Sequence, residues 1–128
     1  MEREIETMLE RAEEALAASQ HLHNQEFWED TASRSYYSIY HCLQALLFDL
    51  DIRPKSHQGC HRMFHKHYIL TSVFEEKYGS MIIVSFETRQ RSDYDYSSDL
   101  TKADAEKCLT FAKEFLDRTK LHFSQKNN

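Results

Sequence analysis

The sequence runs to 128 residues with a net charge of −5, and only two glycines and one proline occur in it. That length suits one domain with its own hydrophobic core, and the shortage of turn formers excludes a sandwich or barrel, whose strands reverse at frequent Gly and Pro positions. The acidic balance argues against indiscriminate binding to a phosphate backbone, an affinity that comes from many Lys and Arg contacts.

The first segment, residues 2–24, spaces Ile5, Met8, Leu9, Ala12, Ala15, Leu16, Ser19 and Leu22 three and four apart between charges, the pattern of an amphipathic helix. Asn24 and Gln25 break it. A second helix is expected from Glu26 or Asp30 to Leu50, and its apolar positions Ala32, Tyr36, Tyr37, Ile39, Tyr40, Leu43, Leu46 and Leu47 cover more than one stripe. A helix apolar on most sides belongs in the middle of a bundle. Pro54 should end it, since the ring cannot continue the ladder and pushes its predecessor out of the α region.

Ser56 can cap a short helix over residues 57–68. The next, expected over residues 73–91, carries Phe74, Tyr78, Met81, Ile82 and Phe86. Residues 81–84 would also suit a buried strand, but a lone strand would have no partner. After the polar break Ser97, Ser98 and Asp99, Thr101 and Asp104 have the spacing of a capping box, with Asp in place of the usual Glu. The last helix then carries Ala105, Cys108, Leu109, Ala112, Phe115 and Leu116 to about Phe123, and residues 124–128 form a polar tail.

The pattern therefore predicts one all-α domain over residues 1–123, an up-and-down antiparallel bundle of four long helices plus a short extra one. Its expected core includes Leu9, Leu16, Tyr36, Leu43, Leu47, Phe64, Ile82, Phe86, Leu109, Ala112 and Phe115. Three cysteines, Cys42, Cys60 and Cys108, form no CxxC pair, so the chain reads as a reduced, cytoplasmic protein. No apolar run approaches the roughly 18 residues of a membrane span, and the charged N-terminus does not resemble a signal peptide. Charge is unevenly spread: residues 1–30 are strongly acidic with only Arg3 and Arg11 basic, whereas residues 52–74 hold Arg53, Lys55, Arg62 and Lys66 and no acid. An anionic ligand should prefer the middle segment.

The block Ala32-Ser33-Arg34-Ser35-Tyr36-Tyr37-Ser38-Ile39-Tyr40-His41, followed by Ala45-Leu46-Leu47, resembles the signature of small stand-alone HEPN-domain proteins. Further blocks are similar to the same family in the same order: Lys55-Ser56-His57-Gln58-Gly59, then residues 89–96 reading RQRSDYDY, then Ala112-Lys113-Glu114-Phe115-Leu116. The resemblance implies a bundle of four long helices and a short one, a homodimer, an association with nucleotides or RNA, and a nucleotidyltransferase-like partner in a toxin–antitoxin-like pair. It implies no cofactor and no metal. In members that cleave RNA, the working motif is Arg, four to six residues, then His, often with a Tyr two positions later.

That motif has a plain chemical logic. In-line attack by a ribose 2′-hydroxyl needs a base for the proton and a cation for the charge developing on phosphorus. Here Arg89 is followed after four residues by Tyr94, then Asp95 and Tyr96, so a phenol stands where the base belongs. A phenol with a pKa near 10 is a poor proton acceptor at neutral pH, and weak or absent ribonuclease activity is expected.

Arg34 and His41, about two turns apart on the second helix, offer a second Arg/His pair. Arg89, His41 and Arg34 are therefore the catalytic candidates if the chain is a metal-independent endoribonuclease. Arg34, Tyr37, His41, Arg89, Arg91, Asp93, Tyr94 and Tyr96 are the candidates for holding a nucleotide or RNA phosphate, a task that needs only cations and stacking faces. Two plainer readings stand beside these. Arg34, Tyr37 and His41 could form a buried network with Asp93 or Asp95 as counter-ion, or the bundle could be a scaffold with no nucleic-acid role. His57, His61 and His65 fall on one side of the short helix, but no carboxylate lies near in sequence, and capping or packing suits His57 better than metal binding. Arg62 and His67 have the motif's spacing outside its block and read as coincidence.

Overall fold

A computed structural model describes residues 2–94, 96–97 and 99–126. Five α-helices run in the order α1 (Arg3–Asn24), α2 (Trp28–Asp49), α3 (His57–Phe64), α4 (Glu76–Tyr94) and α5 (Lys102–Lys126). No strand occurs among the described residues, so residues 81–84 are helical. The bundle is all-α, with four long helices and the short α3, as the periodicity predicts.

The helices alternate in direction. Ser19 of α1 meets Thr31 and Ser35 near the start of α2, while Ser38 further along α2 donates to the Ala12 carbonyl at 2.8 Å, so the two run antiparallel. Small residues make this approach close: Ala12, Ala15, Ser19, Ala32, Ser35 and Ser38 are all buried. Each buried hydroxyl is satisfied across the interface, which removes the cost of sealing it from water. Lys77 of α4 pairs with Glu114 of α5, and Arg91 of α4 with Asp104 of α5, which fixes those two as antiparallel. Across the diagonal, α2 and α5 run the same way, with Ala32 beside Ala105 and Cys108 at one end and Asp49 paired with Lys126 at the other. The central helix α2 packs against α1, α3, α4 and α5, as its near-continuous apolar surface requires.

Every predicted core residue is buried except Leu16, which packs half-exposed against the core. Ser56 caps α3 by accepting from the Gly59 amide at 2.9 Å. Thr101 and Asp104 exchange reciprocal bonds of 3.1 Å, and Leu100 and Ala105 share an apolar cluster beside them, completing a capping box with its hydrophobic staple.

Helix α2 ends within a residue of the expected Leu50 but for a different reason, and the bounds of α3, α4 and α5 differ from expectation. Helix α2 stops at Asp49, well before Pro54: Asp51 adopts a left-handed φ of 61°, and the Ile52 amide turns back to the Leu47 carbonyl at 2.9 Å. The six-residue return that ends this helix is satisfied without the proline. The same device closes α1 at Glu26 (φ 66°) with the Phe27 amide on Leu22. Helix α3 passes at His65 into a π-helical turn, His65–Ile69. That turn ends at Ser72 (φ 61°), so α4 begins at Glu76 and extends to Tyr94. Helix α5 continues to Lys126, taking in part of the expected polar tail. Ser98, part of the predicted break, lies outside the described residues.

Candidate functional site

The aromatic face of α2 explains the site. Tyr36, Tyr37 and Tyr40 share it, and α3 and α4 close over it from two directions. Tyr36 is fully buried, so its hydroxyl must find partners inside the protein. It meets Nδ1 of His57 at 2.7 Å and Nε2 of His61 at 2.9 Å. His57 and His61 are one turn apart on α3, which brings both imidazoles to one phenol. The His57 ring also lies 4.2 Å from Tyr40 and 5.8 Å, nearly parallel, from Phe86 of α4.

Arg89 enters from α4. Its guanidinium lies 4.9 Å from the Tyr37 ring and 5.7 Å from the Tyr36 ring, and Nη2 donates to the Tyr37 hydroxyl at 3.0 Å. Nε sits 3.2 Å from the Asp93 carboxylate one turn on, but is not aligned to hydrogen-bond it. The side chain is 13% exposed, so the cation is held at the edge of the protein with an imperfect internal counter-ion. A cation in that state gains from an external anion.

The electrostatics follow from this geometry. Burial lowers the His61 pKa to about 4, with His57 adding to the effect. His57 is also lowered, first by burial and then by the Arg89 charge. Both imidazoles are therefore neutral near pH 7. Burial pushes the Tyr36 phenol well above its ordinary range, so Tyr36 keeps its proton.

The structure brings some of the sequence candidates together and not others. Tyr37, Arg89 and Asp93 form one contact group, and the Arg34 guanidinium lies 5.4 Å from the centre of the Tyr37 ring. Arg34 is exposed, so it is no member of a sealed network, and the cation paired with Asp93 is Arg89. Asp95, the other proposed counter-ion, lies outside the described residues. His41 stands apart: half-buried, it lines a cleft of about 480 Å³ with Arg3, Thr7, Met8, Arg11 and Gln44. Burial lowers its pKa, while Gln44 opposes the shift by a hydrogen bond. No hydrogen bond, ion pair or ring contact among the described residues joins His41 to Arg89.

Arg91 pairs with Asp104 at 3.3 Å, tying α4 to the capping box of α5. Tyr94 is 76% exposed and Tyr96 fully exposed, so both phenols present their rings to solvent. Among the described residues, no three His, Cys, Asp or Glu side chains are grouped to hold a metal ion. Sequence reasoning weighed His57 and His61 as metal ligands or packing residues and missed their shared contact with Tyr36. Their i, i+4 spacing was visible, and a buried Tyr36 needing hydrogen-bond partners was the signal that could have linked them.

A family model described as the HEPN domain matches residues 5–122. A protein of Methanocaldococcus jannaschii named "Putative toxin MJ0142" is 38% identical over 98% of this chain and 85% of its own length. A second protein of that organism, "Putative toxin MJ0605", is 35% identical over 91% of this chain and 87% of its own. "UPF0332 protein PH1297" of Pyrococcus horikoshii is 33% identical over 70% of this chain and 60% of its own.

Proposed function

The chain belongs to the HEPN-domain family, and from that premise we propose that it is the HEPN member of a toxin–antitoxin-like pair. It binds a nucleotide or RNA phosphate at Arg89, acts as a homodimer beside a nucleotidyltransferase-like partner in the cytoplasm, and cleaves RNA weakly or not at all. Two relatives that match nearly the whole chain carry toxin in their names, and no helix among the described residues is long and apolar enough to cross a membrane.

One observation carries the binding half of this reading: Arg89 is braced by the Tyr37 hydroxyl at 3.0 Å and lies over the Tyr37 ring, with its charge only partly matched by Asp93. Phosphate groups are well suited to such a guanidinium. The weak-cleavage half rests on Tyr94, an exposed phenol in the place of an imidazole, and on the absence of contact between His41 and Arg89.

Labelled single-stranded RNA incubated with the purified protein in chelator tests both halves. Retention of the RNA by the protein without cleavage is the expected result, with binding weakened about tenfold or more in Arg89→Gln, the scale of one charged hydrogen bond. Metal-independent cleavage abolished by His41→Ala would overturn the reading in favour of an endoribonuclease. No RNA retention, and no shift in unfolding temperature with nucleotide well above millimolar levels, would leave a scaffold.

A further inference from the structure

Resting on the phosphate-binding reading of Arg89, we propose that His57 is the imidazole of that site, donating a hydrogen bond from Nε2 to an oxygen of the phosphate seated on Arg89, with Tyr36 and His61 fixing its tautomer. The sequence directs attention to residues 89–96 and to His41 for an imidazole. The fold supplies one from α3 instead.

The geometry begins with shared neighbours. His57 and Arg89 contact the same two tyrosines: the His57 ring lies 5.5 Å from Tyr36 and 6.2 Å from Tyr37, and the guanidinium lies 5.7 and 4.9 Å from those rings. The groups facing His57 are Tyr36, Tyr37 and Tyr40 from α2, Phe86 and Arg89 from α4, and His61 on its own helix. No carboxylate is among them. Asp93 faces Arg89, and with Arg89 as the charged neighbour, an added anion is the complement this pair lacks. His57 Nδ1 is committed to Tyr36, while Nε2 takes part in no hydrogen bond among the described residues and the residue is partly exposed.

The tautomers follow from counting protons. The Tyr36 hydroxyl carries one proton and touches two imidazole nitrogens, so it donates to one and accepts from the other. A phosphate oxygen only accepts, so a neutral His57 that binds it must carry its proton on Nε2. Its bare Nδ1 then accepts from the Tyr36 hydroxyl, and the Tyr36 oxygen accepts from Nε2–H of His61. Phosphate binding thus sets the same tautomer on both histidines, through one phenol. A His57 that served as a base would need the reverse arrangement, with Nδ1–H donated to the Tyr36 oxygen, the Tyr36 hydroxyl donating to a bare Nε2 of His61, and Nε2 of His57 bare. The two roles are mutually exclusive at one instant and leave different signatures.

Long-range proton–nitrogen NMR of the 15N-histidine protein near pH 7 reads them directly. The probes are adenosine 5′-monophosphate, for a terminal phosphate, and a short oligoribonucleotide with a 5′-hydroxyl, for the phosphodiester; a response of the His57 signals to either supports the proposal and identifies the source. The expected result is saturable shifts at His57, with His57 and His61 both protonated on Nε2 in the complex. His57→Phe, which keeps the stack on Tyr40, should weaken binding about tenfold, whereas His57→Gln, which keeps a donor near Nε2, should retain most of it. Tyr36→Phe should uncouple the two tautomers, a readout that a packing role would not move. Thermal unfolding identifies any variant that has lost the fold, in which case His57→Gln and the wild-type spectra decide.

Binding lost in Arg89→Gln but unchanged in His57→Phe, with His57 signals unmoved, would overturn the proposal and leave the Arg89 reading intact. A bound His57 with bare Nε2 would also overturn it. Failure of both probes to bind the wild type would sink the Arg89 reading, and this proposal with it.

Discussion

Two clusters of aromatic rings lie in this bundle, each with an arginine stacked on it, and they end differently. In one, Phe64, Phe74 and Phe115 are sealed from solvent with Tyr68 beside them, and the Tyr68 hydroxyl donates to the Leu46 carbonyl at 2.5 Å. Arg118 lies 4.3 Å from the Phe74 ring and donates to the Val73 carbonyl at 2.7 Å. In the other, the Tyr36 hydroxyl ends on two imidazoles and Arg89 donates to a phenol. A backbone carbonyl neither titrates nor changes tautomer; an imidazole does both. His122 packs its ring against Tyr68 and Phe74, so the difference lies in where the buried hydroxyl ends: on a fixed carbonyl in the first cluster, a structural knot, and on two imidazoles in the second, a responsive one.

The largest effect that would test this contrast is on the knot. Phe64 touches Tyr68, Phe74 and Phe115 at ring separations of 5.3 to 5.6 Å and has no exposed surface. Phe64→Ala should lower unfolding stability by about 3–5 kcal/mol, the usual cost of truncating a buried phenylalanine, measured by urea denaturation. A loss below about 1 kcal/mol would show that these rings are not the structural centre of the bundle. The phosphate-binding constants per folded molecule should not change, because no ring of the knot reaches Arg89.

The second effect belongs to the responsive cluster. Burial, with His57 beside it, pushes the His61 pKa down to about 4, against about 6.5 for an unperturbed imidazole. Its folded pKa is depressed, so the unfolded chain binds the proton more readily, and stability rises with pH across that interval. The contribution is complete above about pH 6.5 and is lost as the pH falls toward 4, on the order of 3 kcal/mol in all. His57, His41 and His122 are shifted in the same direction and add to the slope. Denaturation midpoints at pH 7 and pH 4.5 should differ accordingly, and His61→Gln, neutral at both, should flatten the difference. An equal slope in that variant would show that the acid sensitivity lies elsewhere.

The contrast also explains what the sequence could and could not show. Periodicity identified α1, α2 and α5 because each buries a stripe, and the caps at Ser56 and Thr101 with Asp104 were legible because capping is local chemistry. The end of α2 was legible to within a residue, but its cause was not: Pro54 is a conspicuous breaker, whereas the residue that turns the chain is Asp51, one of many aspartates and not distinguished from the others by its neighbours in sequence. The π-helical turn at His65–Ile69 left no signal in the spacing of apolar residues, and it displaced the start of α4. At the site, Arg89, Tyr37 and Asp93 were legible from one motif block and one helix face. The pairing of His57 with Tyr36 was not, because it depends on a phenol from α2 and an imidazole from α3 meeting in space.

The smallest effect concerns how the knot is closed. Ser72 holds a left-handed φ of 61° so that the Phe74 amide can return to the Tyr68 carbonyl at 2.8 Å, which delivers the Phe74 ring between Phe64 and Tyr78. A residue with a Cβ is strained there, and glycine is not. Ser72→Gly should therefore stabilise the protein, by up to about 1 kcal/mol once the greater freedom of glycine in the unfolded chain is set against the relieved strain. Ser72→Val, with a branched side chain at the same φ, should destabilise it. If glycine and valine shift the denaturation midpoint in the same direction, the left-handed turn does not hold in solution, and the seat of Phe74 must be fixed by the ring contacts alone.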